Sequence, residues 1–119
     1  MRELSIAYTH TPEPPPTGDG AIVLEKAVFA ARHIHHDEWL AQALIDRAEI
    51  GRAKYGDYLR TNNGRNALVD YLQEQLDAIM YATQAYVESD GNECAELLAL
   101  SIRAAQAAQT LIEKVSVNE

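Results

Sequence analysis

Residues 65–87 read RNALVDYLQEQLDAIMYATQAYV, and this run decides the fold class. It is rich in Leu, Ala, Gln and Glu, and no proline follows Pro16 anywhere in the chain. Strong helix formers without a breaker predict one long helix over Arg65–Val87. The turn cluster Thr61-Asn62-Asn63-Gly64 precedes it and Asp90-Gly91-Asn92 ends it. Beyond that break, Glu93–Val115 is dominated by Ala and Leu and predicts a further helix. Upstream, the acids Asp37 and Glu38 suit the positive end of a helix that carries Trp39, Leu40, Ala43, Leu44 and Ile50. That helix should run to about Lys54, with Gly56 as its stop. The earliest helix is expected from Ala21, capped by Asp19, to the His33–His36 region. Leu4–Tyr8 alternates weakly, like a short strand. Pro12, Pro14, Pro15, Pro16, Gly18 and Gly20 then exclude helix and favour an extended course. The expected architecture is all-α: a four-helix bundle-like protomer over residues 21–119, preceded by an extended proline-rich N-terminal arm over residues 1–20.

The chain has 119 residues, 10 Lys plus Arg, 18 Asp plus Glu and a formal charge of -8. That length fits one domain. The acidic balance argues against direct nucleic-acid binding, which depends on clustered cations releasing counterions. The single Cys94 excludes an internal disulfide framework and favours a reducing compartment. Without a signal-like N-terminus or a membrane-length apolar run, a cytoplasmic protein with no membrane contact is expected. Four helices of this size build a thin core. The last one has Leu97, Leu98, Leu100, Ile102, Leu111 and Ile112 around much of its circumference. Alanines between them allow close approach of another helix. A helix apolar on more than one side requires more than one neighbour, so a homo-oligomer, dimer or tetramer, is expected.

The acids are the informative residues. With about 100° per residue, Asp46 falls inside a stripe formed by Trp39, Ala43, Ile50 and Ala53, with Glu49 on its flank. A carboxylate facing a core costs several kcal/mol unless a cation, a metal or a pKa change relieves it. On the 65–87 helix, Asp70, Glu74, Asp77 and Tyr81 share one face within about 60°. Alone, that face reads as a solvated one, because Asn66, Gln73, Gln84 and Glu88 lie on or beside it. Two such helices side by side can converge their acids on a hard cation such as magnesium, which also bridges phosphates.

The pattern Asp46-x-x-Glu49, a gap of 24 residues, then Glu74-x-x-Asp77 resembles the acid signature of the all-α nucleoside triphosphate pyrophosphohydrolases, the MazG-like superfamily. Lys54-Tyr55-Gly56, Leu59, Asn63-Gly64-Arg65 and Ala67–Asp70 are similar to small phage-encoded members, and the likeness covers residues 38–88. The first acid is Asp46 where the family has Glu, and Ala48 and Gln73 stand where it has a further Glu pair. The resemblance implies a magnesium-dependent (or manganese-dependent) enzyme that converts a nucleoside or deoxynucleoside triphosphate to the monophosphate and pyrophosphate, in phage nucleotide-pool metabolism. It implies Asp46, Glu49, Glu74 and Asp77 as metal ligands, with Glu49 and Glu74 as the catalytic acids that orient water. Lys54, Arg60, Asn63, Arg65, Asp70 and Tyr81 complete the expected nucleotide site.

Lys54, Arg60 and Arg65 bracket the loop before the third helix, where they can hold a triphosphate; Lys54 and Arg60 equally suit a helix C-terminus. His33, His35 and His36 read as a polar helix junction, since their spacing puts at most two on one face. Cys94 lacks a nearby base in sequence, and Trp39, Tyr55, Tyr58 and Tyr81 suit packing at least as well as base stacking. Two other functions fit the same residues: a nucleotide-binding oligomer that does not cleave, and a helical protein-partner adaptor or inhibitor whose acidic surface imitates nucleic acid.

Overall fold

The computed structural model describes residues 13–89 and 93–117. The suggested strand at Leu4–Tyr8 and the Asp90–Asn92 break lie outside them. The fold is all-α. Helix α1 is Leu24–Phe29 and passes into a π turn at Ala30–Ile34; α2 is Glu38–Tyr55, α3 is Ala67–Glu88 and α4 is Ala95–Val117. The chain divides into two compact units, Pro15–Gly64 and the residues from Arg65 onward together with the N-terminal stretch ending at Pro14.

In the Pro15–Gly64 unit, α2 ends at the glycine its sequence predicts, and Asp37, expected as a charge at the helix start, is its N-cap. Asp37 accepts a hydrogen bond from the Leu40 N–H at 2.9 Å, and Gly56 closes the helix at φ 88°. A left-handed residue there is cheap for glycine, which has no Cβ to clash. The beginning of α1 departs from expectation. Asp19 does not cap it; the N-cap is Val23, with no side-chain cap bond. The backbone before it is already committed elsewhere. Thr61 N–H donates to the Ala21 carbonyl at 2.8 Å and Val23 N–H to the Leu59 carbonyl at 3.0 Å. The Thr61 hydroxyl accepts from Ala21 N–H at 3.0 Å. These bonds hold residues 21–23 extended against 59–61, with one antiparallel bridge at Ile22 and Arg60, so the helix can begin only afterwards. After the π turn, Arg32 forks onto Glu38 at 2.6 and 2.7 Å and ties the turn to the start of α2. His33 packs on Phe29, with ring centroids 5.1 Å apart.

In the other unit, α3 packs on α4. Asn66 caps α3 by accepting from the Leu68 and Val69 N–H groups. The core is small: Val69, Leu72, Ala105, Ala108 and Ile112, flanked by Leu68, Leu76 and Ile79. Alanine at 105 and 108 brings the backbones close enough for Leu72 to be almost fully enclosed. Among the described residues, no helix is long and apolar enough to cross a membrane.

Gly20 is the tightest position in the first unit. A Cβ placed on it would lie 1.8 Å from the Thr61 carbonyl oxygen. Gly20→Ala should therefore open the 21–23 and 59–61 pairing and destabilise the protein by about 2 kcal/mol or more. Gly51→Ala meets no atom within 4 Å inside α2 and should stabilise by about 0.5–1 kcal/mol. Thermal unfolding of both variants checks the pair, which should move in opposite directions.

Candidate functional site

The Pro15–Gly64 unit contains a groove of about 680 Å³. Its apolar walls come from Val23, Leu24 and Ala27 on one side and from Leu44, Ala48 and Gly51 of α2 on the other. The small side chains of Ala48 and Gly51 leave the space. Its polar lining includes Arg47, Arg52, Tyr55, Asp57, Tyr58, Arg60 and Asn63. Arg47 is exposed and makes no hydrogen bond or ion pair among the described residues. Asn63 is 8% exposed, and its carbonyl accepts from Thr17 N–H at 2.8 Å.

Glu49 anchors two of these lining groups. Its carboxylate accepts from the Tyr58 hydroxyl and, at 3.1 Å, from Arg52 Nε. The Tyr58 hydrogen bond, then Arg52, holds this carboxyl below the usual glutamate range. The same bond raises the Tyr58 phenol, since deprotonation would set its oxygen against a carboxylate. Arg52 also lies over the Tyr58 ring, 5.8 Å from its centroid.

Asp46 corrects the sequence reading of α2. It is exposed and accepts from the Gln42 amide at 3.0 Å, with no cation on it among the described residues. Its stripe is outward: Trp39 is 78% exposed and Ile50 58%. The inward face of α2 is the opposite one, with Ala41 fully buried and Leu44 and Ala48 half-buried. Ala41, Leu44 and Ala48 pack that face, while Trp39 and Ile50 point to solvent. Periodicity identifies a stripe but not which side of the helix is covered.

The other expected residues divide by role. Arg60 donates to Asp57 at 2.8 and 3.3 Å and to the Gly20 carbonyl at 2.9 Å, so three of its donors hold the loop. The Lys54 ammonium sits 5.1 Å from the Tyr55 ring centroid. In the other unit, Arg65 grips Asp70 with two bonds of 2.9 Å and donates to the Pro14 carbonyl at 2.8 Å. Arg65 and Asp70 thus work as a structural fork. Glu74, Asp77 and Tyr81 lie exposed on α3. Within either unit, no three described His, Cys, Asp or Glu side chains are grouped to hold a metal. Sequence reasoning missed Arg47 and Arg52 as groove residues. Their signal was available: Arg47, Gly51 and Tyr55 recur every four residues beside Leu44 and Ala48, a ridge with a gap at glycine.

Tyr58→Phe should raise the Glu49 pKa toward the ordinary value of about 4.3, read by carboxyl NMR titration. Because the folded-state pKa is lowered, the stabilisation from ionised Glu49 is complete above the unfolded value and disappears as pH falls through the folded one. The stability gap between the native chain and Tyr58→Phe should accordingly be widest near neutrality and shrink in acid. Comparison with known proteins found no family model, no curated relative and no solved structure that matches this chain.

Proposed function

We propose that this chain is a MazG-like, magnesium-dependent pyrophosphohydrolase of nucleoside or deoxynucleoside triphosphates. Water adds to the α-phosphorus, the α–β phosphoanhydride bond breaks, and the monophosphate and pyrophosphate leave. The observation that carries the reading is Glu49, an acid of the Asp46-x-x-Glu49 pattern, bonded to Arg52 and Tyr58 on the wall of a groove that Arg47 also lines. Arginines suit the phosphates, and the tyrosines offer ring faces for a base.

Oxygen-only donors fit a hard cation. The resemblance, and not the placement of the two units, names Asp46, Glu49, Glu74 and Asp77 as ligands of magnesium, or of manganese in its place; all four are exposed. Bound there, the ion would neutralise the triphosphate and lower the pKa of a water. The chain's own contribution is to orient that water through Glu49 and Glu74 and to grip the phosphates with Arg47 and Arg52. Lys54 adds charge near the end of α2. Glu49 must release one of its two present donors to reach a metal.

That last point favours a second reading, in which the groove binds a nucleotide without cleaving it. Glu49 already has both oxygens engaged, and the Arg and Tyr lining would suffice for an anionic aromatic ligand.

A panel of ribo- and deoxyribonucleoside triphosphates incubated with magnesium separates the two. The hydrolase releases pyrophosphate from at least one of them, and Asp77→Ala lowers the rate at least about tenfold. Melting-temperature gains without turnover, abolished in Arg47→Ala, assign the binding role. Neither turnover nor stabilisation by any nucleotide eliminates both.

A further inference from the structure

Helix α4 carries more apolar surface than α3 covers. Ala105, Ala108 and Ile112 are buried, yet Leu97, Leu100, Leu111 and Val115 remain 48–51% exposed. With half-buried Ala104 and exposed Ala107, these leucines form an ordered stripe. Leu97, Leu100, Ala104, Ala107 and Leu111 are spaced alternately three and four apart, the repeat of a helix–helix seam.

We propose that this stripe of α4 pairs antiparallel with α4 of a second copy of the chain, about a two-fold axis level with residues 105 and 106. This inference is independent of the nucleotide reading. In that register Ala104 faces Ala107 of the second copy, and Leu100 faces its Leu111. The alanines let the backbones approach at the middle while leucines fill the space on both sides. The seam is self-complementary, as a two-fold interface must be.

Charge selects the direction. The flank of the stripe remote from the buried residues carries Glu96, Arg103 and Lys114. In an antiparallel pair like flanks meet, so Glu96 comes level with Lys114 of the second copy, and this happens twice by symmetry. Glu96 is 77% exposed and its Arg103 contact is a loose 3.7 Å, so it can accept the new partner. A parallel pair would instead set this flank against Ser101 and Ala108. Those offer no charge, and Ala108 is already buried.

The test uses the full chain. The native protein should have a dimer mass or a multiple of it by light scattering at micromolar concentration. Leu111→Glu should raise the dissociation constant by at least about 30-fold with helicity by circular dichroism retained. Orientation is read by cross-linking in a Cys94→Ser background, mixing one chain carrying Leu100→Cys with another carrying Leu111→Cys. Oxidation should yield the mixed 100–111 dimer and not the 100–100 or 111–111 species. A monomer at these concentrations, or an oligomer that gives no mixed cross-link, overturns the proposal.

Discussion

Residues 20–23 lie against residues 59–61, and the groove exists because of that closure. Two backbone hydrogen bonds and the Thr61 hydroxyl form the junction, and Arg60 reinforces it by bonding both the Gly20 carbonyl and Asp57. Each bond is modest, of order 1 kcal/mol net. Together they bring the chain after α2 back to the residues before α1. Leu59, Arg60 and Asn63 thereby become walls of the same groove as Val23 and Leu24. Arg60, one of the cations expected around a triphosphate, supports the loop here.

The groove's chemistry follows from which arginines are occupied. Arg52 and Arg60 are bound to the carboxylates of Glu49 and Asp57, whose hydrogen bonds push each guanidinium pKa further above its ordinary value. Arg47 is the exposed cation of the lining that has no such partner among the described residues. An incoming anion would meet Arg47 without first displacing a carboxylate, whereas recruiting Arg52 would free Glu49. A single ligand could in this way couple phosphate recognition to the release of an acid.

Local chemistry was legible in the sequence wherever it was local in space. Gly56 ends α2 as expected and the acid Asp37 stands at its start, because end effects act within three or four residues, whereas Asn66, read as part of the third helix, is its cap. The α1 boundary was not legible, since the bonds that delay it come from residues about forty positions away. Asp46 shows a different limit. Its stripe is real, but Ala41, Leu44 and Ala48 pack the other side. With Asp46 hydrated beside Gln42, the desolvation argument for a metal falls away. The acid spacing and the arginine groove are what support phosphate chemistry.

The crowding at Gly20 also bears on how such a protein could be recognised elsewhere. Only a residue without a side chain can stand there; its carbonyl takes the Arg60 guanidinium, and the next residue, Ala21, donates its N–H to the Thr61 hydroxyl. A glycine followed some forty positions later by an Arg-Thr pair, just past a glycine-terminated helix, is thus a fingerprint grounded in sterics. Distant kin whose helices have drifted beyond detectable likeness could still be gathered by that sparse triplet.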